Sequence, residues 1–267
     1  MTSAANALHL TQGAVGQQVK RLEDAFGRSL FERDRRGLRL TPAGERLLGR
    51  AKRLLALHDE IWAEMTDGAV EGRVRLGVPD DLVGTHLAPV LKAYVEAFSR
   101  VEVSLACGSS PELIAALAAG QADLAVAEEP TGPSMGECLV VERLVWVGAK
   151  AGAAHLRRPL PVSMVADTCA FRPAVLSALR ERDLAWKTVF EGGLAATTAT
   201  VLADLAVTAW LASTVPPGFR ILPAGSGLPE LPSFAINLHL PSGGTGAAAS
   251  GLARCIRDGF AQRRHAA

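Results

Sequence analysis

No stretch of this sequence reaches the ~18 consecutive apolar residues that a membrane-spanning helix requires, although 49% of its 267 residues are hydrophobic. That much apolar material is enough for a sizeable core, and the length suits one large domain or a few small ones. Met1 to Leu10 lacks a basic region followed by an apolar run, so it does not read as a secretion signal. Cysteine is scarce. Cys107, Cys138, Cys169 and Cys255 stand far apart with no Cys-x-x-Cys pair, which suits reduced packing thiols in a cytosol rather than a disulfide framework. The signatures HExxH, GxSxG, GxxxxGK and GxGxxG are all missing, and the six histidines do not cluster at metal-ligand spacing. Serine, histidine and aspartate occur, but no local motif orders them for nucleophilic catalysis. The expectation is a cytoplasmic non-enzyme with no cofactor, no metal and no membrane partner.

What is present is an uneven charge distribution. The whole chain carries +1, yet residues 1–55 hold eleven Lys and Arg against five Asp and Glu, a local +6 that leaves −5 for the remainder. A small basic piece joined to a mildly acidic body suits a polyanion-binding module attached to a different machine.

Residues 2–26 read as two short helices with a tight turn at His9-Leu10. Thr11 is placed to cap the second, its hydroxyl taking one of the free N–H groups. There Val15, Val19, Leu22 and Phe26 fall at i, i+4, i+7 and i+11, one apolar stripe for a core. Gln12, Gly16, Gln17, Lys20 and Arg21 are left facing outward. Glutamine suits paired contacts with adenine edges, and Lys or Arg suits guanine or phosphate. The segments Leu30-Phe31-Glu32-Arg33 and Leu38-Arg39-Leu40 flank Asp34-Arg35-Arg36-Gly37, which reads as a basic β-hairpin whose arginines reach phosphates. Thr41-Pro42 marks another helix start.

The run Ala4-Ala5-Asn6-Ala7-Leu8-His9-Leu10-Thr11-Gln12, with Ala14-Val15, Gln18-Val19, Arg21-Leu22-Glu23, Gly27, Leu30-Phe31-Glu32-Arg33 and Leu40-Thr41-Pro42-Ala43-Gly44, resembles the LysR-type transcriptional regulators. The match covers nearly all of residues 2–66 and weakens beyond. It implies an N-terminal all-α winged helix-turn-helix ahead of an α/β, two-lobed, periplasmic-binding-protein-like sensor. It also implies that Thr11, Gln12, Gln17 and Lys20 lie on the DNA-facing helix and that Arg33, with Arg35 and Arg36 beside it, lies near the duplex backbone. In the family a further helix precedes this run. Here Met1-Thr2-Ser3-Ala4-Ala5 resembles only its tail, so the first helix of the motif is expected upstream of Met1 or missing from a truncated form.

From Pro42 to Thr66 nothing interrupts a helix. Leu47, Ala51, Leu54, His58, Ile61 and Met65 alternate spacings of four and three, and Leu48, Leu55 and Trp62 repeat at seven. Such a heptad seam suits a partner helix. Leu47, Leu48, Ala51, Leu54, Leu55, Ile61 and Trp62 are the expected dimer interface. The organisation expected is 1–42 DNA-binding, 43–66 dimerisation helix, 67–72 hinge through Gly68 and Gly72, and 73–267 sensor. Lobe I would hold about 73–143 plus the C-terminal segment, and lobe II about 149–232.

In the sensor, Arg73–Val78, Val101–Leu105 and Asp123–Ala127 read as strands, with helices through Leu82–Phe98 and from Ser110 to Ala119. That alternation predicts a mainly parallel sheet, with ligands outside the carboxyl ends of its strands. Leu144–Gly148 reads as the crossing strand into lobe II. There helices over 173–182 and 195–204 flank a turn at Phe190–Leu194 and precede a strand at Val207–Trp210. Phe234–Leu240 is the returning strand, and a helix near Leu252–Arg263 closes the chain. The resemblance places a small-molecule effector between the lobes, against Asp81, Ser109, Ser110 and Glu128 from lobe I and Thr168, Phe171 and Glu191 from lobe II. Ser110 is expected also to cap its helix, and Asp81 the helix that follows it. The partners expected are double-stranded DNA, the effector and further copies of the chain in a homodimer or homotetramer. The alternative is a truncated sensor-only ligand-binding protein, or a dominant-negative partner, that does not bind DNA.

Overall fold

The computed structural model describes residues 11–34, 37–48, 50, 51, 54, 70–165, 167–241 and 244–264. The chain forms two compact units, Met1–Gly68 and Ala69–Ala267. Among the described residues no helix is long and apolar enough to cross a membrane.

In the first unit, helix α1 spans Gln12–Phe26. It starts at Thr11, whose Oγ1 accepts the Ala14 N–H at 3.2 Å, as its sequence position predicts. It stops at Gly27, which takes a left-handed φ of 60° while its own N–H and that of Arg28 turn back to the Asp24 and Glu23 carbonyls. Glu23 Oε1 then accepts the N–H groups of Leu30 (2.7 Å) and Phe31 (3.1 Å), tying the helix to the strand after it. That strand, β1 (Phe31–Asp34), pairs antiparallel with β2 (Gly37–Leu40), Phe31 opposite Leu40 and Asp34 opposite Gly37.

Residues 42–48 resume as helix. The turn before them is held by Thr41, whose hydroxyl donates to the Ser29 carbonyl (2.8 Å) and accepts from Gly44 N–H (3.1 Å). A Cβ on Gly44 would lie 2.2 Å from the Leu30 carbonyl oxygen, so this close backbone approach admits only glycine. The apolar stripe of α1 is only partly covered. Val15 is buried and Val19 half-buried, but Leu22 and Phe26 remain 43% and 54% exposed.

In the second unit, parallel strands β3 (Gly72–Val78), β4 (Val101–Cys107) and β5 (Leu124–Pro130) lie in the order β4-β3-β5. The sheet continues antiparallel through β11 (Ser233–His239) to β6 (Glu137–Ala149). Strand β6 is the pivot of the fold. Its first half pairs with β11, and its second half with β9 (Thr208–Leu211) and β10 (Phe219–Ile221). The crossing strand is therefore far longer than Leu144–Gly148. Its first half carries Glu137, Glu142 and Arg143 around the short apolar run Cys138–Val141, and pairing with β11 is what makes it continuous with the second half.

A separate parallel pair, β7 (Leu160–Val165) and β8 (Trp186–Gly192), completes the second lobe. Phe190 and Glu191, expected in a turn, are in β8. Its burial follows no period of two because only one edge is paired, and the register slips at Val162/Ser163.

Helix α2 begins at Asp80–Leu82, passes through a π-helical turn at Val83–Leu87 and continues as Ala88–Ala97. It packs against the closing helix α6 (Ala247–Arg264). A Cβ on Gly259 would meet Val90 Cγ2 at 2.4 Å, the Tyr94 hydroxyl donates to the Ala248 carbonyl at 2.7 Å, and His86 stacks on Phe260 with ring centres 5.0 Å apart. Helix α3 (Ser110–Ala118) lays Leu113 and Leu117 over Ala122 and Ala125, where Gly77 leaves the room. Helices α4 (Arg172–Glu181) and α5 (Leu194–Leu202) flank β7 and β8. One apolar core runs through both lobes, from Leu76, Leu124 and Ile236 to Leu160, Leu179 and Leu211. Of the four cysteines, all free thiols, Cys107 and Cys138 are exposed rather than packed.

Candidate functional site

On α1 the first turn carries Thr11 and Gln12, both exposed, and one turn on come Gln17 and Lys20, also exposed. A helix start that shows amide and cationic side chains to solvent can present donors and acceptors to base edges and charge to phosphates. Arg33 lies in β1 and Arg39, exposed, in β2. The side chain of Arg33, and Arg35 and Arg36 altogether, lie outside the described residues, as do Leu55, Ile61 and Trp62 of the heptad seam. On that seam Leu47 and Ala51 are half-buried, Leu48 is exposed, and Leu54 is 68% exposed. A hollow of 390 Å³ is lined by Phe26, Leu30, Ala43 and Leu47 together with Arg28, Arg46 and Arg50.

In the second unit, the carboxyl ends of β3, β4 and β5 converge. Asp81, in the first turn of α2, keeps part of its surface open, whereas Glu128, within β5, is 5% exposed. Their carboxyl groups lie close enough to act on each other. Asp81 does not cap its own helix. Its Oδ2 accepts the Thr214 hydroxyl at 3.0 Å, from the segment after β9. Ser110 does not cap α3 either. The cap is Ser109, whose N–H and hydroxyl both donate to Glu112 Oε2 (3.1 and 2.6 Å). Ser110 turns inward, and its Oγ accepts the Glu128 N–H at 2.8 Å. The first residue of the Ser-Ser pair therefore holds the helix and the second holds the strand.

Residues 167–172 bring lobe II to this point. Thr168 lies beside Glu112 and helps to lower its pKa, after Ser109. Cys169 lies within electrostatic reach of both Asp81 and Glu128. Phe171 meets Phe234 edge-on, ring centres 4.9 Å apart. Arg172 bridges Asp167 (3.0 Å) and Glu191 (2.6 Å). Five of the seven expected effector residues thus fall into two adjoining clusters, Asp81–Glu128–Ser110 and Ser109–Glu112–Thr168. Phe171 joins the core and Glu191 an ion pair at the end of β8. Sequence reasoning missed Thr214, Cys169, Glu112 and Arg172. Glu112 had a local signal, three residues after Ser109, but Thr214 lies 133 residues from Asp81 and had none.

Burial raises the pKa of Asp81, with the Thr214 bond working against it. Burial, and then the Asp81 charge, push Glu128 well above the usual carboxylate range. The Cys169 thiol is also raised by burial. Nearby, His86 Nε2 lies 2.9 Å from Ser213 Oγ, and burial, helped by the Arg263 charge, lowers the imidazole to about 4. The site so built sets two carboxyl groups, both with raised pKa, beside hydroxyls and a thiol.

Residues 67–261 match the family model described as the LysR substrate binding domain, and residues 1–45 match that of the bacterial regulatory helix-turn-helix proteins of the lysR family. The chain is 31% identical to the HTH-type transcriptional regulator DgdR of Burkholderia cepacia over 239 residues, 89% of this chain and 81% of that protein. Among solved structures, VV2_1132, a LysR family transcriptional regulator, superposes with a TM-score of 0.56 at 18% identity, covering 96% of this chain and 92% of that one. Full-length CbnR complexed with its target DNA superposes with a TM-score of 0.51 at 18% identity, covering 97% and 93%.

Proposed function

As this chain belongs to the LysR family of transcriptional regulators, we propose that it is a sequence-specific DNA-binding regulator controlled by a small molecule held between its two lobes. The observation that carries this reading is the conjunction of the two family matches on one chain, a DNA-binding module and a substrate-binding module. Thr11, Gln12, Gln17 and Lys20 would meet the major groove, and Arg33, Arg35 and Arg36 the backbone. Leu47, Leu48, Ala51, Leu54, Leu55, Ile61 and Trp62 would pair two copies in a homodimer or homotetramer, in the cytoplasm. The organisation proposed is 1–42 for DNA, 43–66 for pairing, a hinge at 67–72 and a sensor over 73–267. The effector would bear on Asp81, Ser109, Ser110, Glu128 and Thr168, with Phe171 and Glu191 at the margin. With groups from both lobes at the site, an occupant that prefers one lobe arrangement would shift the population toward it and change the spacing of the DNA-reading heads.

Fluorescence anisotropy on promoter-region DNA at several salt concentrations tests the reading. Specific binding that weakens steeply with salt is expected, because basic side chains displace counterions. Gln12→Ala should relax sequence preference, while Arg33→Ala should weaken binding to all sequences alike. A sensor-only role is the second reading, favoured by the exposure of Leu22 and Phe26 on α1. It takes over if no DNA is bound specifically.

A further inference from the structure

We infer that the pocket at Asp81 and Glu128 takes the protonated amine of its small-molecule occupant. This rests on the reading of the interlobe cleft as the effector site and names the chemistry it selects. Two carboxyl groups side by side in a buried site cannot both ionise at low cost: burial raises both, and the Asp81 charge raises Glu128 further. The charged groups that act on the pair are acidic: Asp80 on Asp81, and Asp81 on Glu128. Facing them across the lobes, Cys169 adds a thiol and no positive charge. An anionic occupant would meet only like charge here.

A second observation points to a missing donor. Glu128 is 5% exposed, and its Oε1 is fully buried without a hydrogen-bond partner among the described residues. Its backbone N–H is committed to Ser110, and the Asp81 carboxyl stands beside its side chain. An orphaned acceptor inside a folded protein marks a place where a donor belongs. An ammonium group supplies several N–H donors and one positive charge, which matches one open acceptor and two acids. Asp81, part of whose surface is open, is the outer contact, and Glu128 the inner one. The π-helical turn at Val83–Leu87 lies directly behind Asp81, and such turns concentrate at functional sites. Binding balances as one proton lost: the protonated Glu128 carboxyl releases its proton to solvent as the ammonium takes its place.

The test uses the full chain in thermal-shift titrations at neutral pH. The probes are n-butylamine, 1,4-diaminobutane and neutral α-amino acids, against butyrate, succinate and butanol as matched compounds without an amine. At least one amine should raise the melting temperature. Its apparent affinity should fall at least about tenfold in Glu128→Gln and in Asp81→Asn and be unchanged in Glu137→Gln, whose carboxylate pairs with Arg257 elsewhere. The melting curve of each variant without ligand shows that it folds. Calorimetry of the protecting amine in two buffers of different ionisation enthalpy should show proton release in the parent chain and none in Glu128→Gln. If carboxylates protect, amines do not, and Ser110→Ala abolishes that protection, the ammonium inference falls while the cleft reading stands. If amines protect all variants alike, the occupant lies elsewhere and both fall. If no amine protects, the inference falls.

Discussion

The two units of the chain are built by different kinds of information. In the first, the contacts that decide the fold are short in sequence. Thr11 caps the helix it precedes, Gly27 ends it, Glu23 reaches seven and eight residues on, and Thr41 reaches back twelve. In the second, they are long. Arg75 holds Asp123 across 48 residues, Asp81 meets Thr214 across 133, and Tyr94 meets Ala248 across 154. A surface built to read DNA needs helix ends and a turn held firmly at close range. The site around Asp81 draws on chain segments that are far apart, so only tertiary packing brings its groups together.

The largest expected effect sharpens this contrast. Leu252, fully buried on α6 in the core shared by both lobes, should cost about 2–5 kcal/mol when changed to alanine, as buried leucines do. Denaturant unfolding measures the loss. Hydrogen exchange should show it spread over β3, α2 and β11 while α1 keeps its protection; equal loosening of α1 would break the distinction.

Next comes the pH dependence of the sensor unit. His86 has a folded-state value of about 4, below its ordinary 6.5, so between these values the unfolded chain binds the proton and the folded chain does not. Stability present above pH 6.5 is therefore lost as pH falls toward 4, by about 3 kcal/mol for a shift of this size. In His86→Gln that loss should be absent, so the variant gains stability relative to the parent chain as melts move from pH 7 to pH 4. A slope that persists would assign it to another group.

In the first unit, Gly44→Ala should cost about 1–3 kcal/mol, since the new methyl meets backbone that cannot turn aside. Its signature is faster exchange confined to residues 12–48 together with weaker DNA binding; if the sensor strands loosen as much, the units are not independent. The smallest effect is at the cap. Thr11→Ala should cost about 1 kcal/mol, read as fraying of the first turn of α1.

Much of the architecture was legible in advance because its signals are periodic and local. The α1 cap, the hairpin, and the alternation of β3, α2, β4, α3 and β5 all follow from spacing within a few residues. The errors have a common cause. The end of β8 at Phe190–Gly192 and the first half of β6 carry no local strand signal because each owes its conformation to a neighbour that arrives from elsewhere, β7 for one and β11 for the other. The pocket divides the same way. Rules about strand ends pointed to Asp81, Ser109, Ser110 and Glu128, yet the two serines exchanged their expected duties. The choice between capping α3 and bonding β5 depends on how the helix sits against the sheet.

By itself the sequence determined the family, the basic character of the N-terminal piece, the limits of α1 and the order of the sensor elements, since each is written in residue type and spacing. Only the tertiary structure decided that Asp81 and Glu128 share one buried site, that Thr214 and Cys169 close it, and that Glu128 is left with an unanswered oxygen. Ionisation and hydrogen-bond satisfaction depend on distance and burial in space. Neither quantity exists until segments far apart in the chain have packed together.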